Sequence, residues 1–183
     1  MAMSSLGHAQ PATPAKAVGG SLNWAVRGGP PTLVPINTPA GGAIDIGPKI
    51  VEGLLTYDPE LNPRPLLATT WEVSPDGLTY TFHLREGVLW HDGHPFTSAD
   101  VAWSIQALKE HHPRGRATFA QVTEVQTPDA HTAVLRLAKP APYLLTALAS
   151  YESPIVPRHL YERQDLASNP YNKAPVGTGP FVF

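Results

Sequence analysis

Apolar and polar positions between Trp71 and Trp103 follow one another in an order that assigns the stretch element by element. Residues Thr79-Tyr80-Thr81-Phe82-His83-Leu84 alternate strictly, with Tyr80, Phe82 and Leu84 on one face and Thr79, Thr81 and His83 on the other. That is the period of a half-buried strand. Trp71-Glu72-Val73 precede it as a partner strand. Between the two, Ser74-Pro75-Asp76-Gly77 carries a type I turn signal, with Pro fixing φ at the second position and Gly at the fourth. Arg85-Glu86-Gly87 breaks the alternation, Val88-Leu89-Trp90 is apolar again, and Asp92-Gly93 turns the chain once more. Thr97-Ser98-Ala99-Asp100 reads as a capping box, Thr97 as N-cap and Asp100 in the Glu/Gln place. Val101, Ile105 and Leu108 follow at helical spacing, and Trp103 falls on the opposite side of that helix. Tyr80, Phe82, Trp90 and Trp71 are expected in the core.

The same reading applied to the flanks gives shorter elements. Ser21 to Val26 is a short strand, closed by Gly28-Gly29-Pro30-Pro31, and an irregular loop runs on to Gly42. A helix is expected over 43–53, with Ile46, Ile50 and Val51 on one side and Gly53 as its stop. Residues 54–58 are extended, and Asn62-Pro63-Arg64-Pro65 connects them to the central stretch. Beyond the central helix, His111 to Arg116 form a basic, broken loop. Residues 122–126 and 132–137 make a second strand pair around Pro128-Asp129. Pro142 suits the first position of a short helix over 143–149, and Pro157 leads into a helical turn reaching Arg163. After Gly177-Thr178-Gly179, residues Phe181-Val182-Phe183 read as a strand just beginning. No turn, cap or polar tail closes it, so the chain reads as truncated.

Composition narrows the classes. A chain of 183 residues can build one good core, or a domain with a piece of another. Net charge is −2, which gives no footprint for nucleic acid. The absence of cysteine excludes disulfides, cysteine-ligated zinc and thiol chemistry within these residues. The 21 prolines are spread through the connections and favour rigid, extended loops over long helices. No apolar run approaches the length of a membrane span. Residues 1–18 are polar and small and are expected to be a disordered tail. Gly7-His8-Ala9 resembles the small-x-small end of a cleaved secretory signal, so the tail is alternatively the remnant of one.

The ordered pieces carry a resemblance. They are Glu52-Gly53-Leu54-Leu55-Thr56-Tyr57-Asp58, Leu67-Ala68, Trp71-Glu72-Val73, Asp76 through Phe82, Leu84 through Val88, His91-Asp92-Gly93, Pro95-Phe96-Thr97, Asp100-Val101, Ile155-Val156-Pro157 and Pro175 through Phe181. Together they resemble the family 5 extracellular solute-binding proteins, which serve transporters for peptides, nickel and related solutes. The resemblance implies an α+β fold: a fragment of a two-lobed periplasmic-binding-protein-like fold of type II. Most of it would be the small extra subdomain, with a mixed or antiparallel sheet and a few helices. Residues 19–43 would be the first strand and loop of the large lobe, 44–170 the small subdomain, and 171–183 the truncated return strand. The chain would cover about the first third of a family member, without the second ligand-binding lobe.

The same resemblance implies the role: capture of a solute, best a short peptide, outside the cytoplasm in the periplasm, and delivery to the transmembrane permease of an ABC importer. Lobe closure would do this without chemistry, enzyme activity or cofactor. It further implies that the loop after Val26, the segment around Phe119, and Ser150-Tyr151-Glu152 face the missing lobe. Phe119, Tyr151 and Glu152 are then the expected ligand-binding residues. Phe119 and Tyr151 are loop aromatics, which suit an aromatic platform, with Glu152 as a carboxylate for an amino group. The alternative is that Phe119 plugs the core and Tyr151 caps it.

Other chemistry is weaker. His83, His91, His94, His111 and His112 lack helical i,i+4 spacing and are read as turn and surface residues, with no metal site. A hydrolase would need a nucleophile on a constrained turn; no GxSxG occurs, and Ser104 and His111 have no third partner. Asp92 and Asp100 are accounted for by a turn and a cap. Gly177-Thr178-Gly179 lacks the helix and Lys of a phosphate loop. A stand-alone structural or interaction module remains the second reading of the subdomain.

Overall fold

The computed structural model describes residues 21, 23–25 and 29–183. The tail expected over 1–18 lies outside the described residues, as do Leu22 and Val26 of the expected first strand. Ser21 and residues 23–25 belong to no strand.

The first helix starts earlier and stops sooner than the apolar pattern suggests. α1 is Gly41–Ile46, followed by a 3₁₀ turn over Gly47–Lys49. Pro48 sets this limit, because its ring removes an N–H and crowds the preceding turn. Gly53 is therefore not a helix stop. It sits where a Cβ would lie 2.5 Å from the Leu148 carbonyl oxygen, so the two backbones meet there directly. β1 (Leu55–Tyr57) pairs antiparallel with β2 (Pro63–Pro65), so residues 63–65 form a strand instead of a mere connection. A two-stranded ribbon offers only edge positions, and edges tolerate proline.

The main sheet is antiparallel, four-stranded, in the order β3-β4-β6-β5. β3 (Ala68–Val73) and β4 (Thr79–Leu84) form the expected hairpin. Its turn is closed by Gly77 N–H to Ser74 O at 2.8 Å, with Gly77 at φ +68°. Tyr80, Phe82 and Leu84 are buried, and His83 opposite them is exposed. The second hairpin, β5 (Val122–Asp129) and β6 (Thr132–Leu137), turns at Ala130-His131 rather than at Pro128-Asp129. β5 carries Pro128 because it is an edge strand and its register is irregular between Gln126 and Asp129.

α2 (Ser98–His111) packs on β5 and β6, with Val101, Ile105 and Leu108 buried and Trp103 half-buried against Tyr161, rings 5.9 Å apart. Asp100 holds its start: Oδ2 accepts the Thr97 N–H at 2.8 Å. The other oxygen of the same buried carboxylate accepts Arg158 N–H at 2.9 Å, the first residue of α4 (Arg158–Tyr161). One side chain thus serves two helix N-termini, where unpaired N–H groups and the dipole both favour an anion. The short α3 (Gly115–Thr118) follows α2. Residues Pro142–Ala147 form a 3₁₀ helix instead of an α-helix to residue 149, and residues 181–183 are in no strand. The core is continuous from β4 and β6 through α2 to Trp90, Phe96 and Leu144. Tyr80 takes part in it with its hydroxyl satisfied, donating to Ala141 O at 3.0 Å.

Candidate functional site

The segment that carries Tyr151 and Glu152 is held by main-chain bonds to the end of the first helical region. Leu55 N–H donates to Leu148 O at 3.1 Å, and Ile155 N–H donates to Glu52 O at 2.8 Å. Between these two anchors the chain turns tightly: Glu152 N–H and Ser153 N–H both reach Ala149 O, at 3.1 and 2.8 Å. The turn sets Tyr151 edge-on to Tyr57, ring centroids 6.2 Å apart. Lys49, Glu52, Tyr57, Asp58, Ser150 and Tyr151 then line a pocket of about 450 Å³. The Tyr57 hydroxyl donates to Leu145 O at 3.4 Å. Burial, with Tyr151 alongside, pushes its pKa up to about 12, so it is a neutral donor at physiological pH. Burial and then Glu152 raise the Tyr151 hydroxyl as well.

Glu152 points to a different neighbour. Its carboxylate takes Arg114 Nη1 at 3.0 Å, and both side chains are partly exposed. Two residues before Arg114 is His112, expected at the surface and instead buried. Its Nδ1 accepts Gly115 N–H at 3.1 Å and Arg114 N–H at 3.3 Å, so the ring closes the loop between α2 and α3. Burial lowers its pKa, Arg114 lowers it further, and Glu152 acts the other way.

The expected platform of Phe119 and Tyr151 is not formed. Phe119 has no exposed surface and belongs to the hydrophobic core. It ends α3, where the last turn carries its ring inward, and an isolated aromatic in a polar stretch gives no sign of which way it points. The loop after Val26 begins outside the described residues. Tyr57 and Arg114, which meet Tyr151 and Glu152, were not singled out from sequence, although Tyr57 stands in the Glu52 to Asp58 piece; Arg114 lies 38 residues from Glu152 and no local pattern joins them.

The remaining chemistry is occupied structurally. Ser104 is buried and accepts Val156 N–H at 3.0 Å, docking the segment before α4. Gly177-Thr178-Gly179 uses its backbone internally: Gly179 N–H donates to Ile50 O at 2.9 Å, and Gly177 O accepts His91 N–H at 2.9 Å. Thr178 donates to Glu52 Oε2 at 2.8 Å. Among the described residues no helix is long and apolar enough to cross a membrane.

An α+β unit of antiparallel hairpins and short helices, with an open pocket at a backbone seam, is a part of the two-lobed periplasmic binding fold. The model of the bacterial extracellular solute-binding proteins, family 5 middle, matches residues 62–183, and the chain belongs to that family. Protein XP55 of Streptomyces lividans is 38% identical over 156 residues, which are 84% of this chain and 28% of that protein. The dipeptide-binding protein of Escherichia coli is 33% identical over 138 residues, 64% of this chain and 26% of that protein. The crystal structure of NikZ from Campylobacter jejuni in complex with Ni(L-His) superposes with a TM-score of 0.76 at 31% identity, covering 86% of this chain and 31% of that one. The chain therefore spans between a quarter and a third of the length of these relatives.

Proposed function

We propose that the protein captures a small solute, best a short peptide, outside the cytoplasm and delivers it to the transmembrane permease of an ABC importer, and that it is not an enzyme. The observation that carries this is the family match over 62–183 together with the likeness to a binding protein crystallised with its solute. One relative is named for a dipeptide and a solved neighbour holds a metal-bound amino acid, so both solutes present an amino-acid backbone. The pocket at Tyr151 suits such a group: carboxylates of Glu52 and Asp58 for an amine, Lys49 for a carboxylate, and Tyr57 and Tyr151 as aromatic walls. Tyr151 and Glu152 are the residues of this chain proposed to face solute. The proposed division has residues 19–43 and 171–183 in the large lobe and 44–170 in the small subdomain. Closure of a second lobe over the solute would complete the site by a hinge motion.

The test uses the full-length protein and calorimetry with mixed di- to pentapeptides. Tyr151→Ala and Glu152→Gln should each weaken binding by about tenfold, the scale of an aromatic or charged contact, with the melting temperature nearly unchanged. Loss of stability with affinity retained would place the site elsewhere. Binding of another small solute but no peptide would overturn the solute class.

A further inference from the structure

Two pieces of chain far apart in sequence bring a carboxylate and two imidazoles together. His159 Nε2 lies 2.8 Å from Asp92 Oδ2, and His94 Nδ1 lies 3.2 Å from Asp92 Oδ1. The two imidazole rings stack with centroids 4.2 Å apart and planes tilted by 33°. One donor atom from each of the three side chains falls within 4.8 Å of the others. We propose that Asp92, His94 and His159 form a surface site for a late first-row divalent cation such as zinc or nickel(II), with its remaining coordination positions open to water.

The donor set fits that class. Imidazole nitrogen suits zinc, nickel and copper, whereas magnesium and calcium demand oxygen donors in larger number. Around a tetrahedral ion with bonds of about 2.0–2.1 Å, neighbouring donors stand roughly 3.3 Å apart. The separations of 2.8 and 3.2 Å, each to a different oxygen of Asp92, are close to this, and the donor atoms all lie within 4.8 Å of one another, so rotation of the exposed side chains brings them onto one ion. With both rings neutral the trio carries a single negative charge. The adjacent cation, Arg158, is engaged by Glu162, its Nε 2.5 Å from Oε2, and does not oppose a bound ion.

Both halves are fixed before any ion arrives. Asp92 and His94 sit on a turn closed by Gly93 N–H to Trp90 O and Trp90 N–H to His94 O, each at 2.8 Å. Gly93 there has φ +88°, a conformation that side chains with a Cβ rarely adopt, and Trp90 beside it is buried. His159 follows Arg158, whose N–H is bound by Asp100 at 2.9 Å, so the first turn of α4 is anchored. The sequence separation of 67 between Asp92 and His159 explains why the histidines of the turn, taken alone, read as ordinary surface groups. The site shares no lining residue with the pocket at Tyr151.

The experiment is calorimetric titration of the protein, without a histidine tag, with zinc chloride, nickel chloride and magnesium chloride. One zinc or nickel ion should bind per chain with a micromolar dissociation constant, and magnesium should not bind. His94→Ala and His159→Ala should each weaken zinc binding by about tenfold or more. Circular dichroism in EDTA establishes that both variants are folded, and Asp92→Asn replaces either one that is not. Zinc affinity unchanged in the variants, equal affinity for magnesium, or no heat up to millimolar metal would each overturn the site.

Discussion

The double hairpin with α2, residues 68–137, and the seam where residues 49–55 meet 148–155 and 177–181 are held by different kinds of contact. In the first, side chains do the joining: Tyr80, Phe82 and Leu135 from the sheet meet Val101, Ile105 and Leu108 from the helix. In the second, backbones touch. Gly179 N–H reaches Ile50 O at 2.9 Å, Phe181 N–H reaches Lys49 O at 3.1 Å, and Leu55 N–H reaches Leu148 O at 3.1 Å. A side-chain core yields by degrees, because neighbours relax into a lost methyl. A backbone seam has nothing to relax, since the groups in contact are the main chain itself.

The comparison is broken most directly at Gly177. A Cβ added there would overlap the Ile50 carbonyl oxygen, main chain against main chain. Gly177→Ala should cost about 3–4 kcal/mol, beyond the usual range for overpacking, or abolish cooperative unfolding altogether. A denaturant titration decides it, and a neutral result would mean that the seam is looser than it looks. On the other side, Leu108→Ala truncates a fully buried residue of α2 and should cost about 2–4 kcal/mol with the transition still cooperative. The capping region sharpens the contrast within the sheet unit. Asp100→Ala strips two helix N-termini of their acceptor and should cost about 2 kcal/mol. Thr97→Ala removes a hydroxyl 3.4 Å from Asp100 Oδ2 and should cost under about 1 kcal/mol. If the two substitutions cost the same, the carboxylate is not the main anchor.

The smallest effect is set by pH. His112 is buried beside Arg114 and faces Glu152, and its folded pKa lies below the ordinary 6.5. The unfolded chain therefore binds the proton more readily. Stability is complete above about pH 6.5 and falls as the pH drops below it through the folded value. Thermal melts between pH 7 and pH 5 should show this slope, and His112→Gln should flatten it. The hydrogen-bonded carboxylates Asp92 and Glu162 have lowered values and add their own loss only in more acidic solution.

The sheet unit was legible because each of its elements is written locally. Alternation gave β4 and its buried face, Ser74 to Gly77 gave the turn, and Thr97 to Asp100 gave the start of α2. Errors arose where a proline's two effects compete. Pro48 cut the first helix short although the apolar spacing continued, and Pro128 sat inside a strand because that strand is an edge. The candidate site is less legible, because its residues come from segments far apart in the chain. Ser150 and Tyr151 line a pocket while Glu152 pairs with Arg114, Phe119 turns inward, and Tyr57 joins Tyr151 only through the seam, across 93 intervening positions. His112 shows the same limit: adjacent histidines at a helix end look alike in sequence, yet His111 is exposed and His112 is buried.

The seam also fixes an order of events. Thr178 and Glu52 are partners across 126 residues, while both hairpins of the main sheet close over a few. Closing a loop that long carries an entropic cost that local pairs do not, so the hairpins and α2 form first and the 177–181 crossing last. On the ribosome, Ile50 and Glu52 emerge well before the segment that covers them and must wait for it with their carbonyls in water. The crossing then acts as a latch on an already folded unit, and a chain interrupted before Gly177 would leave the Ile50 carbonyl and the His91 amide without their partners.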